Sequence, residues 1–406
     1  MKTKILILST IYPSPDITIV NNTNVVHYFA KEWVKMGYEV LVVHNYPIYL
    51  KPLHWIAALL GGATIASQFN TSVTSTYVKD DYEFDMDGVK VIRMPLFKPF
   101  PHLKVPQHSL LRQVKKICDF CTKNNFIPDF ITAHNFYPHI EIVNMLKEHY
   151  YPLSKTCVVV HKQNLKMLNY IKGDCREQID KIDMWGFRSI PLKREFEGYV
   201  GKISSYFMCY SGIPGNFVTH SSHCLIKKPI DKFVYIGSFI KRKHPEKLLS
   251  ALKVVNIPNF RLTYVGDGIL RKHIEKFVRQ NHWEKRVNIC GFVKRESIPT
   301  IISEAQCFIL ISEEETFGLV YLEAMSLGCI TIASKNEGME GIIIDGENGF
   351  LCKAGDSNDL VKIINRINNL SDEKLVSISD KARSTALKLT DENVAKAYID
   401  ALIKLK

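Results

Sequence analysis

Short unbroken apolar runs alternate along this chain with stretches in which apolar residues recur every three or four positions. The runs are Ile5–Leu8, Val40–Val43, Val89–Ile92, Phe130–Ala133 and Val158–His161, then Phe233–Ile236, Arg261–Val265, Val287–Cys290, Cys307–Ile311 and Ile330–Ala333. Runs this short, apolar on both faces, predict parallel strands covered by helices. The helical periodicities between them include Val25–Met36, Leu110–Asn124 and Ile140–His149, then His244–Val254, Leu270–Gln280 and Leu319–Leu327. Strand–helix alternation predicts an α/β fold, and two consecutive series predict two Rossmann-like domains facing each other.

The boundary is expected where Gly, Pro, Ser and Asn cluster, from Ser211-Gly-Ile-Pro-Gly-Asn216 to Pro229, with a fresh strand at Lys232. This sets a first domain over 1–215 and a second over 230–390. One segment exceeds a minimal unit. Between Tyr46 and Val89 lies an insertion that includes the apolar stretch from Leu53 to Ala66. Two readings stand for it: a membrane-surface helix backed by Leu103-Lys104, Arg112 and Lys115-Lys116, or a buried insertion helix, which is favoured.

A chain of 406 residues suggests two cores rather than one, and 46% hydrophobic with 23% charged residues are globular values. The 53 basic against 41 acidic residues favour anionic partners: nucleotide-sugars, anionic lipid surfaces or nucleic acid. Nucleic acid is the weakest of these, because no basic run is interleaved with aromatics. Ile5–Leu8 is too short for a signal peptide, and no run reaches the ~18 apolar residues of a membrane span. The expectation is a cytoplasmic protein, peripheral on the inner membrane face if the insertion binds lipid. Its ten cysteines are then expected as free thiols. Cys118-Asp-Phe-Cys121 falls in a helical pattern with no second pair, and His220-Ser-Ser-His223-Cys224 lacks a fourth ligand, so no metal site is expected.

The most informative chemistry lies at Ser312-Glu-Glu-Glu-Thr-Phe-Gly-Leu-Val-Tyr-Leu-Glu323. Two carboxylates, Glu315 and Glu323, flank Thr316 to Leu322. A strand-like run precedes them and a helix opens at Leu319. The first N–H groups of a helix have no acceptor in their own helix, so a strand feeding a helix start is a ready anion site. Gly318 lets a ligand approach the backbone. A diphosphate at that helix start would leave one carboxylate for a sugar and the other for a ribose.

This segment resembles the E-x7-E motif of the retaining glycosyltransferases of the GT-B fold, glycosyltransferase family 4. Glu315-Thr-Phe-Gly-Leu-Val320 and Leu322-Glu-Ala-Met-Ser-Leu-Gly328 both read as that family's consensus. The resemblance implies a GT-B fold of two Rossmann-like domains across a cleft, a metal-independent reaction and no cofactor beyond a nucleotide-diphosphate sugar co-substrate. It also implies a last helix, about 391–406, that packs back on the first domain. Lys243, in Tyr235-Ile-Gly-Ser-Phe-Ile-Lys-Arg-Lys-His-Pro245, falls where the family has a phosphate-binding lysine. Ser238 stands where the family has arginine, with Lys241 and Arg242 as candidate replacements. Val265-Gly-Asp-Gly268 matches the turn that approaches the donor, through Gly266 and Gly268. Phe292 and Val293 match the segment lining the nucleobase. In Pro128-Asp-Phe-Ile-Thr-Ala-His134, the histidine matches one that positions the sugar. His161 and Gly186-Phe-Arg188-Ser189 fall at further cleft segments. The usual glycine pair after the first strand is missing; Asn21 or Asn22 takes its place, so the acceptor side departs from the family.

The implied roles are Lys243 and the N–H groups of Gly318, Leu319 and Val320 on the diphosphate, Phe317 beside them in the substrate-binding segment, Glu315 on the sugar, Glu323 on the ribose and His134 beside sugar and acceptor. The acceptor expected by resemblance is a glycan or lipid-linked molecule of cell-surface polysaccharide or lipopolysaccharide assembly. Two alternatives stay open. One is another GT-B-like catalyst, an epimerase or phosphorylase, which the Glu315-Thr-Phe-Gly-Leu sequence disfavours. The other is a non-catalytic sugar-nucleotide binder or transferase partner subunit, which Ser238 favours and Glu315, Glu323 and Lys243 disfavour.

Overall fold

The computed structural model describes residues 2–17, 23–60, 76–220, 223–255 and 257–405. The chain divides into two compact units: Met1–Arg188 with Leu192–Cys209 and Val394–Lys406, and Ser189–Pro191 with Tyr210–Asn393. Asn21 and Asn22 lie outside the described residues, as do the last six residues of the Leu53–Ala66 stretch.

The first unit is built on β1 (Lys4–Ser9), β2 (Glu39–Ile48), β3 (Tyr82–Met86), β4 (Val89–Phe97), β5 (Phe130–His134), β6 (Lys155–Val160), β7 (Met184–Phe187) and β8 (Tyr206–Met208), in the order β3-β4-β2-β1-β5-β6-β7-β8. Pairings are parallel except β3–β4. Ile5, Leu6, Ile7 and Leu8 are all fully buried, which is why β1 is apolar on both faces. Helices α1 (Val25–Lys35), α2 (Lys51–Leu60), α3 (Gln107–Lys123) and α4 (Phe136–His149) connect the strands.

The second unit holds β9 (Lys232–Ile236), β10 (Arg261–Val265), β11 (Val287–Ile289), β12 (Cys307–Ile309), β13 (Ile330–Ser334) and β14 (Phe350–Cys352). Their order is β11-β10-β9-β12-β13-β14, with parallel pairing throughout the described ladders. Its helices include α5 (Pro245–Val255), α6 (Arg271–Gln280), α7 (Leu319–Ser326), α8 (Ser357–Asn369) and α9 (Asp372–Leu387). The last helix, α10 (Asp391–Ile403), has most of its length in the first unit. Two polar contacts fix it there. Trp33 Nε1 donates to the Ala395 carbonyl at 2.8 Å, and Tyr398 Oη lies 2.8 Å from Thr132 Oγ1.

The favoured buried-helix reading of the insertion fails over its described part. In α2 only His54 and Ala57 are buried, while Trp55 and Leu59 are 67% and 85% exposed. An apolar stretch shows that a face avoids water but not that the fold supplies a cover for it.

Candidate functional site

In an open parallel sheet, ligands gather outside the carboxyl ends of the strands where the winding direction reverses. In the second sheet that point lies between β9 and β12, since β10 and β11 extend one way and β13 and β14 the other. Lys243 follows β9 and Glu315 follows β12. The structure brings them together: Lys243 Nζ forms an ion pair with Glu315 Oε2, and both side chains are largely shielded from solvent. Ser312 Oγ donates to the same carboxylate at 3.2 Å. The short helical turn Lys241–Lys243 that carries the lysine is held by Tyr235, whose hydroxyl donates to the Ser238 carbonyl at 3.2 Å and the Lys243 carbonyl at 3.3 Å.

A residue outside the sequence expectations sets the Glu315 loop. Glu337, beyond β13, accepts the N–H of Glu314 at 3.0 Å and of Glu315 at 2.7 Å with its two carboxylate oxygens. It thus fixes a turn in which Glu314 has φ of 54°. Gly318 follows at φ of 84°, and a Cβ there would come within 2.3 Å of the Tyr321 ring. Tyr321 is itself locked, donating to the Leu310 carbonyl at 2.8 Å. The start of α7 is therefore held rigidly, with Leu319 and Val320 partly buried at its first turn. Phe317 does not project its ring outward; it is buried and stacked on Tyr210, with centroids 5.5 Å apart.

Glu323 lies one turn inside α7 and is buried. Burial pushes its carboxyl above the usual range, and the Arg295 guanidinium, ion-paired to Oε1, opposes that push. Arg295 comes from the loop after β11, at the far side of the sheet order, and its side chain is half exposed. The same loop carries Phe292, which is 83% exposed, and Val293, which packs partly on the core.

Gly266 and Gly268 stand at the end of β10 beside the Gly237–Phe239 turn. A Cβ at Gly266 would meet the Gly237 carbonyl oxygen at 2.1 Å, and one at Gly268 the Phe239 oxygen at 2.6 Å. Contact between two backbone turns is thus enough to require glycine at both positions. Ser238 is exposed, as are Lys241 and Arg242. None of these three joins the Lys243–Glu315 pair.

In the first sheet the winding reverses between β1 and β5, and His134 ends β5 opposite Ser9. Its side chain is fully buried, stacked on Phe29 at 5.8 Å. Nδ1 lies 3.0 Å from His161 Nε2, and Nε2 is buried without a partner among the described residues. Burial, with the nearby His161, Arg188 and His139, holds His134 well below the ordinary imidazole range, so it is neutral. Arg188 is buried and donates to the Cys209 carbonyl at 2.7 Å, which ties β7 to β8's end. Cys118 and Cys121 are buried in α3, where burial raises their thiols to about 12 and about 11; neither is a thiolate at neutral pH.

Comparison with known proteins bears on this arrangement. Residues 223–385, inside the second unit, match the family model described as Glycosyl transferases group 1. N-acetyl-alpha-D-glucosaminyl L-malate synthase of Bacillus anthracis is 30% identical over 168 residues, covering 41% of this chain and 43% of that protein. The lipopolysaccharide core biosynthesis glycosyltransferase LpsE of Rhizobium meliloti is 25% identical over 169 residues, 41% of this chain and 48% of that one. The aligned stretches thus span less than half the length of these curated relatives. The solved structure of Anabaena Alr3699/HepE in complex with UDP matches 99% of this chain and 100% of that one, with a TM-score of 0.69 at 16% identity. At that identity the likeness establishes the fold, which is GT-B.

Proposed function

We propose that this protein is a retaining glycosyltransferase that moves a sugar from a nucleotide-diphosphate donor to a glycan or lipid-linked acceptor. The observation that carries the reading is the Lys243–Glu315 pair astride the switch point of the second sheet, inside the region that matches Glycosyl transferases group 1. Each charge compensates the other while the site is free of donor. An arriving diphosphate competes for Lys243 and for the first N–H groups of α7, and Glu315 is released to accept hydrogen bonds from sugar hydroxyls. Glu323 accepts from the ribose hydroxyls, a task suited to a carboxylate. In the transfer step the bond from the anomeric carbon to the leaving phosphate oxygen breaks. The bond to the acceptor oxygen forms on the same face, and the acceptor's proton passes to the departing phosphate. Neutral His134, fully buried on Phe29, serves only as a positioning group at the end of β5. LpsE, the relative named for lipopolysaccharide core biosynthesis, supports a setting in cell-surface polysaccharide assembly.

Glu315→Ala tests the assignment. Turnover should fall by about 10³-fold or more while the melting temperature stays close to wild type. Full activity in that variant would remove Glu315 from the mechanism. The exposed Ser238, which brings no charge to the diphosphate, favours a second reading: a sugar-nucleotide binder without transferase activity. Tight binding of a donor with neither transfer nor hydrolysis across an acceptor panel would select it.

A further inference from the structure

Helix α2 turns an apolar stripe outward. Trp55, Ile56, Leu59 and Leu60 are exposed at 67%, 42%, 85% and 56%. Trp55 with Leu59, and Ile56 with Leu60, are four residues apart and share one side of the helix. The helix leaves the carboxyl end of β2, and β4 ends beside it: Ile48 pairs with Phe97, and the Lys98 N–H donates to the Ile48 carbonyl at 2.8 Å. The loop after β4 adds two exposed side chains, Phe100 and Leu103. Single exposed apolar residues need no explanation, but a group on adjoining segments does.

Charge says what would cover it. From Tyr46 to Leu60 and from Phe97 to Cys118 the chain has Lys51, Lys98, Lys104, Arg112, Lys115 and Lys116 and no Asp or Glu, in a protein with 41 acidic residues. Lys51, Lys104 and Arg112 are exposed; Lys116 pairs with Asp81 from outside these stretches. Lysine is depleted from the cores of protein–protein interfaces, whereas lysines beside exposed tryptophan and leucine suit the headgroup region of an anionic membrane. No helix among the described residues is long and apolar enough to cross a membrane.

We propose that this face docks on the surface of an anionic phospholipid bilayer. Trp55, Leu59, Phe100 and Leu103 enter the boundary between headgroups and acyl chains, and Lys51, Lys104 and Arg112 meet the phosphates. The proposal stands apart from the transfer reaction, since none of these residues belongs to the nucleotide-sugar site.

Trp55 supplies its own reporter, because the other three tryptophans, Trp33, Trp185 and Trp283, are buried. The full-length protein is mixed with vesicles of phosphatidylcholine alone or with an equal share of phosphatidylglycerol. The expected result is co-sedimentation with the anionic vesicles, weakened by salt, with a blue shift of tryptophan emission. Trp55→Ser/Leu59→Ser and, separately, Lys51→Glu/Lys104→Glu should each weaken sedimentation by about tenfold or more, with the wild-type melting temperature retained. Absence of wild-type binding, or equal binding to both vesicle types, would overturn the proposal. So would self-association of the wild type that Trp55→Ser/Leu59→Ser abolishes, since a second copy would then be the occupant.

Discussion

At the switch point of the second sheet a cation and a carboxylate meet, Lys243 and Glu315, on loops with some access to solvent. At that of the first sheet two imidazoles, His134 and His161, lie 3.0 Å apart in a packed aromatic surround. The first arrangement keeps ionised groups at modest cost by pairing them. The second makes ionisation too costly, so its polar groups stay neutral. The difference teaches that one fold type can place either charge or uncharged hydrogen-bonding groups at its strand ends, according to burial and partner.

Removing one half of the ion pair gives the largest expected effect. Lys243→Ala should reduce turnover by roughly 10²- to 10³-fold, because the leaving group loses its cation. Its effect on the melting temperature should be small by comparison. Equal turnover in variant and wild type, measured with saturating donor, would break the contrast at its charged end.

Acid should test the neutral end. Burial lowers His44 to about 3, His139 to about 4 and His161 to about 3. A histidine lowered in the folded state stabilises it fully above the unfolded value near 6.5, and that stability drains away as pH falls below it. By pH 5 each such group should have cost about 2 kcal/mol. Scanning calorimetry at pH 7 and pH 5 should show the loss in the transition that contains the first unit. A flat profile would mean that these imidazoles are not held neutral.

A smaller effect is expected at Glu323, where pairing and burial compete in one residue. Arg295 is the charged group that faces it. Arg295→Ala should weaken nucleoside diphosphate binding by about tenfold, roughly 1.4 kcal/mol, and the loss should deepen as pH is lowered across the carboxyl's raised titration range, because the carboxyl then protonates more readily. Stability should move the other way. A carboxyl raised in the folded state contributes stability at low pH that is lost as pH rises through its folded value, so the variant's deficit should be greater at the alkaline end. Arg295→Lys should restore much of the binding. Calorimetric titration across that range measures the first effect and thermal melts the second.

The chain announces its strands where burial on both faces makes them continuously apolar, as in β1 and β13. It hides β3, an exposed antiparallel edge strand, although the Asp87-Gly88 turn, with φ of 51° and 78°, is a two-residue hairpin signal present in the sequence. The three-residue β8 and β14 also go unpredicted, whereas the equally short β11 and β12 are marked by the runs Val287–Cys290 and Cys307–Ile311. In the site, Glu315 and Glu323 are legible as carboxylates flanking a helix start, and Lys243 through the family resemblance. Arg295 and Glu337 are not, because each acts on a group from another loop, and only the sheet order brings those loops together. Gly266 shows a further limit. The sequence marks it as glycine for close approach, and the structure makes the approaching group the Gly237 carbonyl of its own chain. Gly266→Ala should accordingly destabilise the fold itself, by roughly 2–4 kcal/mol.

The most direct test of the central claim is calorimetric titration of UDP, GDP and ADP into the wild type, Lys243→Ala and Glu323→Gln. The account predicts one nucleoside diphosphate that binds the wild type in the micromolar range and about tenfold or more weakly to each variant. Failure of the folded wild type to bind any of them, or binding that neither substitution weakens, would contradict it.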